Sequence, residues 1–254
     1  MSVALLKEQC KALKLGNVVA AYARIPYENK EQFLSSVFAA EIEARTENRI
    51  RRALKRAGFE QTKTLDTFEW DVVTLPAKTT PEMLTELDFI ERKECVILMG
   101  DVGLGKTHLA TALGIQACMQ GKNVRFFRTA DLASRLLEKH AAGTLTRFMR
   151  ELAKCDLLIL DELGYVPLHR HGAEMLFNVV ADCYERRSVI VTTNLEFGQW
   201  NTVLADNRLT TALIDRLVHH AHVLGFTGES YRLRHALSEL GRRHNATRGG
   251  DEEK

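Results

Sequence analysis

A chain of 254 residues with 45% apolar and 27% charged residues has the composition of a globular protein able to bury a sizeable α/β core, not of a disordered or fibrous one. No apolar run approaches the ~18 residues of a membrane span, the start MSVALLKEQCK is too short in apolar residues for a signal-peptide core, and five scattered cysteines without a C-x-x-C pair read as reduced thiols of a cytoplasmic protein, not as a disulfide framework. The net charge of +2 conceals an asymmetry, +5 over residues 1–65 and −3 over the rest, so a basic module precedes a near-neutral body and a polyanionic partner is expected.

Leu5, Leu6, Leu13, Val18, Val19 and Tyr22 recur with helical spacing interrupted near Gly16, which predicts two short helices, or one with a break, ended by Pro26. With Asn29 as N-cap, a long helix is expected to about Ala57, packing through Phe33, Leu34, Val37, Phe38 and Ile42. In its second half Arg45, Arg49, Arg52 and Arg56 fall at i, i+4, i+7 and i+11 and share one stripe, flanked by Arg51 and Lys55, with Glu47 the only acid among them. Guanidinium binds phosphate bidentately and each neutralised phosphate releases a counterion, so the stripe suits a nucleic-acid backbone without sequence readout; a solvated helix face is the plain alternative.

Gly58 ends that helix, and residues 61–78 read as an extended linker whose Phe68 and Trp70 fit either the core or an adenine, the core being favoured because large aromatics are usually buried. Thr80 and Pro81 then start a helix expected through Ile90. The apolar run Cys95–Met99 leads into GDVGLGKT, residues 100–107, and HLATALGIQACM follows: a strand, a glycine-rich turn and a helix start, the order of a phosphate-binding loop. Gly100, Gly103 and Gly105 let backbone N–H groups turn toward a phosphate at a helix N-terminus, with Leu104 and His108 completing the run that would surround the nucleotide. Lys106 would reach the β- and γ-phosphates and the Thr107 hydroxyl would ligate Mg²⁺.

A second strand is expected at Val124–Phe127 and two helices, broken at Gly143, over 130–154. The run Asp156–Leu160 has the continuous apolarity of a strand buried on both faces and ends in Asp161 and Glu162, where open α/β sheets bind ligands. Asp161 is assigned to Mg²⁺ through water and Glu162 to the base that polarises the attacking water, a pair that favours hydrolysis over transfer to a second substrate. A helix over 173–186 leads to the strand Ser188–Asn194; Asn194 either holds the attacking water or γ-phosphate or merely starts a loop. A helix near 210–218 carries Arg216, a candidate arginine finger if copies assemble, and His222–Phe226 is the fifth strand. His219, His220 and His222 read as helix-end histidines, not as a zinc site. The segment after Gly241 reads as a disordered tail.

Four runs in order, VGLGKTHLATALG, DLLILDELGYVPL, VTTNLEFGQW and LIDRLVHHAHVLGFTGESYRLR, resemble the IstB-like ATPases, helper proteins of bacterial insertion sequences, and more distantly the DnaC-type helicase loaders; the resemblance runs from about Leu5 to Arg234. It implies an α/β AAA+ P-loop core with a five-stranded parallel sheet and flanking helices over residues 66–240, a small all-α DNA-binding domain over 1–65, and a tail over 241–254. It implies ATP and Mg²⁺ as ligands, assembly into oligomers on double-stranded DNA with little sequence preference, and assistance to a transposase in target selection. Lys106 and Thr107 fall on Walker A, Asp161 and Glu162 on Walker B, Asn194 on sensor 1, and Arg216 on the arginine finger acting in trans. Asp101 and Val102 stand where many relatives carry small residues or proline. A full C-terminal lid does not fit in the 20 residues after Arg234, which leaves Arg232 and Arg234 without an assigned sensor role. A helicase loader on the same core is the alternative, separable by its partner; a P-loop kinase is disfavoured by the paired acids and the basic helix.

Overall fold

The computed structural model describes residues 3–27, 29–204 and 206–231. Contacts divide the chain into two compact units, Met1–Lys55 and Arg56–Lys254. Arg232, Arg234, any lid and the expected tail lie outside the described residues.

The first unit is helical: α1 (Val3–Ala12), α2 (Val18–Ala21) and α3 (Lys30–Ala57), the last running past the division. Asn29 Oδ1 accepts the Gln32 N–H at 2.8 Å and caps α3. Cys10, Val18 and Val37 form the buried cluster, with Leu6, Val19, Tyr22 and Phe33 packed against it. The expected packing face of α3 is only partly used. Leu34, Phe38 and Ile42 are 51%, 49% and 64% exposed, because within this unit two short helices cover only one side of a 28-residue rod. The Glu41 carboxylate on α3 is buried and accepts the N–H groups of Asn17 (2.8 Å) and Val18 (3.2 Å) and the Arg45 Nε–H (2.8 Å). Burial pushes this carboxyl upward, but the Arg45 and backbone hydrogen bonds outweigh it and hold it below its ordinary value.

The second unit opens with a correction. The 61–78 linker contains two 3₁₀ turns, Leu65–Thr67 and Trp70–Val72, and the strand β1 (Val73–Thr74), which adds an antiparallel edge to the sheet through Phe226 and Gly225. The helix expected over 81–90 is two pieces, α4 (Pro81–Thr85) and α5 (Asp88–Glu91). The chain turns left-handed between them at Leu87 (φ +68°), and the change of direction buries Leu84, Leu87, Phe89 and Ile90 together.

The remaining elements are β2 (Cys95–Gly100), α6 (Lys106–Met119), β3 (Val124–Arg128), α7 (Thr129–Ala141), α8 (Leu145–Leu152), β4 (Leu157–Leu163), α9 (Arg170–Cys183), β5 (Ser188–Thr193), a 3₁₀ turn (Phe197–Gln199), α10 (Asn201–Leu204), α11 (Asn207–Val218) and β6 (Ala221–Phe226). The sheet order is β1-β6-β2-β5-β4-β3, with five parallel strands and the antiparallel β1 as a sixth. Both faces are covered, as the apolar strands require. Leu158 and Leu160 of β4 join a cluster with Leu132, Leu176 and Leu213 of α7, α9 and α11, while Ile159 of the same strand lies against α6 at Gly114. The chain leaves β2 over β5 and β4 to reach β3, then fills inward and crosses β2 to β6. The carboxyl ends of β2, β5 and β4 therefore flank the crevice where such sheets take ligands.

Candidate nucleotide-binding site

The loop after β2 makes the first wall. Gly100 approaches β6 so closely that a methyl there would overlap the Phe226 carbonyl oxygen, and Gly105 begins α6 at φ +97°. Leu104 is buried and anchors the loop, leaving its backbone to face the crevice. Lys106 Nζ donates to the carbonyls of Gly100 and Asp101, each at 2.6 Å. Asp101 thus serves the loop through its carbonyl, and its exposed side chain is not among the residues lining the cavity.

The second wall is the end of β4. The buried Asp161 carboxylate accepts the Thr107 hydroxyl at 2.9 Å and the Thr192 hydroxyl at 2.6 Å, and its carbonyl accepts the Thr129 hydroxyl at 2.9 Å. Glu162 is left-handed (φ +58°) and its N–H donates to Thr192 Oγ1 at 2.8 Å. Arg128, at the end of β3, pairs with Glu60 at 2.6 Å and lies 3.9 Å from Glu162. Glu60 above all raises the Arg128 guanidinium pKa; burial opposes it, and Glu162 adds a smaller rise.

Glu60, Leu104, Arg128, Asp161, Glu162 and Thr192 share one cleft of about 950 Å³ with Gly103, Gly105, Lys106, Thr107, His108 and the exposed Asn194; Gly100 and Thr129 are not among its lining residues. Its far side is the linker. Phe68 is half-buried and lines the cleft, edge-on to Trp70 (5.0 Å) and His108 (5.5 Å), so the favoured reading of Phe68 as core gives way to a place on the cavity wall. The His108 ring is occupied with the same linker, Nε2 donating to the Thr64 carbonyl at 2.8 Å. After β6 the Tyr231 N–H donates to the Gly103 carbonyl at 3.0 Å and closes the loop from above.

Most sequence-derived candidates of the second unit therefore converge. Arg216 does not: its guanidinium lies 4.8 Å over the Phe177 ring, donates to the Ala212 carbonyl, and is not among the lining residues. Arg49, Arg51, Arg52 and Lys55 are exposed along α3; Arg45 is exposed but tied to Glu41 and to the Lys14 carbonyl, and Arg56 is exposed and donates to Asn123. His222 is a strand residue held between Thr79 (2.7 Å) and Glu94 (2.9 Å), not a helix-end histidine. His219 and His220 do close α11, and with Glu185 they bring ligand atoms within 4.8 Å of one another on the surface. Sequence reasoning missed Thr129, Thr192, Arg128 and Glu60. The signal for Thr192 was present in Thr192-Thr193-Asn194, three polar residues ending an apolar strand beside the acids.

Comparison with known proteins fits this geometry. Residues 8–239 match the family model described as IstB-like ATP binding protein. The chain belongs to that family. Among IstB-like relatives it is 36% identical over 219 residues to the ATP-binding protein of insertion sequence IS5376 from Geobacillus stearothermophilus, covering 86% of this chain and 87% of the relative. It is 37% identical over 206 residues to that of insertion sequence IS21 from Pseudomonas aeruginosa, covering 81% and 78%. Solved structures share the fold: the DnaC helicase loader (TM-score 0.50, 22% identity, 65% of this chain and 96% of that one) and AMPPCP-bound DnaA from Aquifex aeolicus (TM-score 0.56, 21% identity, 73% and 57%). This IstB-like chain thus shares the P-loop fold of those solved structures. Among the described residues no helix is long and apolar enough to cross a membrane.

Proposed function

We propose that this protein is a cytoplasmic ATPase that assembles on duplex DNA and assists a transposase in selecting its target. The observation that carries the ATPase reading is the contact of the Thr107 hydroxyl with the Asp161 carboxylate beside Glu162. A hydroxyl and a carboxylate brought together from the loop and the neighbouring strand end are hard oxygen donors suited to Mg²⁺, so the residues present fit that ion. When bound, Mg²⁺ would supply positive charge to the phosphates.

The chain's own residues do the rest. Lys106 exchanges its two loop carbonyls for phosphate oxygens, and the backbone N–H groups from Gly103 to His108 surround them. Glu162 accepts a hydrogen bond from the attacking water and orients it, and Asn194 holds the water or the γ-phosphate from the adjoining strand end. Phe68 offers its ring to the base from the cleft wall. Arg216 lies outside its own chain's cleft, which supports its acting on a neighbouring copy. The exposed cations of α3 bind phosphates of either strand without reading bases.

Light scattering with and without ATP–Mg²⁺, and with and without an unrelated duplex, tests the reading. Large assemblies are expected only with both ligands present, and to be lost in Lys106→Ala. A protein that stays monomeric and ignores duplex while hydrolysing ATP overturns the transposition reading and makes a replicative helicase the partner to try by pull-down.

A further inference from the structure

The pairing of β4 with β5 slips by one residue beside the two acids. Leu160 faces Val191 and Leu163 faces Thr193, so Asp161 and Glu162 together oppose Thr192 alone. Such a bulge interrupts the ladder and re-aims the side chains it carries. Here the interruption is closed by one side chain. Thr192 is buried, and its Oγ1 accepts the Glu162 N–H at 2.8 Å while donating to Asp161 Oδ1 at 2.6 Å. A hydroxyl can do both at once, having one proton and two lone pairs; a valine of the same shape can do neither.

Both consequences bear on the cleft. The Asp161 carboxylate is pinned between the loop hydroxyl of Thr107 and the strand hydroxyl of Thr192. Glu162 is kept at φ +58°, a left-handed conformation that a non-glycine residue holds only where its surroundings fix it. That backbone turn brings Glu162 to the cavity lining, whereas the strand residues before it, Leu157 to Leu160, are core.

We propose that Thr192 is a positioning residue for ATP hydrolysis, whose single hydroxyl fixes the metal-side carboxylate of Asp161 and the backbone that aims Glu162. The inference rests on the reading of Glu162 as the group that activates water. Thr192 touches no reacting atom in this scheme; it acts through the two acids.

The test measures kcat and KM for ATP, affinity for a fluorescent ATP analogue, and melting temperature in wild type, Thr192→Val and Thr192→Ser. Misplacing a reacting group by about an ångström can cost on the order of 100-fold, so Thr192→Val is expected to lower kcat roughly 10- to 100-fold. KM and analogue affinity should stay within about 3-fold, and Thr192→Ser should recover kcat to within about 3-fold of wild type, the split expected when only the chemical step is affected. The inference is overturned if Thr192→Val keeps wild-type kcat, if serine is as impaired as valine, or if affinity and melting temperature fall together with kcat. If Thr192→Val does not fold, Thr192→Cys decides, since a thiol is a weak donor and acceptor of similar size: wild-type kcat in that variant overturns the inference. A wild type that hydrolyses no ATP, even with duplex present, removes the hydrolysis reading itself and this inference with it.

Discussion

In the first unit Cys10, Val18 and Val37 are the buried apolar cluster, whereas every residue of the run Leu157–Leu160 in the second is buried, as are Val96, Ile97 and Leu98 of β2. The polar groups are used differently in consequence. Where the apolar core is thin, a buried carboxylate, Glu41, ties the start of α2 to α3. Where it is thick, the buried polar side chains Asp161, Thr129 and Thr192 gather at strand ends and hold one another. A scaffold with apolar material to spare can devote its polar groups to a site; one without it devotes them to staying folded.

The sharpest way to separate the two plans is to strike the site without touching the scaffold. Glu162→Gln should reduce ATP turnover by roughly 10²- to 10⁴-fold, the usual worth of a positioned base, while analogue binding and melting temperature hold. A steady-state assay beside an equilibrium titration shows the split, and equal loss in both would move Glu162 from chemistry to binding.

Next in size is the exposed face of α3. Arg49→Ala/Arg52→Ala should weaken duplex binding roughly 10- to 100-fold at moderate salt and flatten the plot of log affinity against log salt by about 1.8, the loss of two phosphate contacts. ATP hydrolysis without DNA should be unchanged. An unaltered salt slope would return the stripe to its plain reading as a solvated face.

The smallest effect concerns Glu41. Its carboxyl is held below the ordinary 4.5, so its contribution is fully present above that value and disappears as pH falls below 4.5 through the depressed folded value. Helical circular dichroism should therefore decline on acidification before the fluorescence of Trp70 and Trp200, both in the second unit, responds. Glu41→Gln should remove that early phase and cost the first unit about 1–3 kcal/mol, leaving the Arg45 guanidinium without its carboxylate. Coincident transitions in both probes would mean that the two units unfold as one.

The strands that form the sheet were legible because burial on both faces writes a continuous apolar run, as in Leu157–Leu160, and the loop because only glycine fits Gly100 against β6. β1 was not, since Val73 and Thr74 are too few to show a period and their partners, Phe226 and Gly225, lie some 150 residues away. The break at Leu87 was hidden because leucine is a good helix former, and tertiary burial overrode that preference. In the site, residues defined by chemistry at one position, Lys106 or Asp161, could be named from sequence. Thr129 carried no such signal and Thr192 only its place in a polar run ending a strand, because their meaning comes from register and from a bulge. Phe68 was favoured for the core on size, with an adenine contact as the alternative, and only the tertiary contacts place it on the cleft wall.

The cationic half of α3 also sets a length scale. From Arg45 to Lys55 a helix rising ~1.5 Å per residue advances about 15 Å, and a duplex of ~3.4 Å per base pair passes between four and five pairs in that distance. This is under half a helical turn, so on the proposed reading a single stripe would grip a duplex only from one side. Encircling or following the groove would then be the property of a row of copies, and a plot of affinity against duplex length should climb in steps set by the spacing between neighbours.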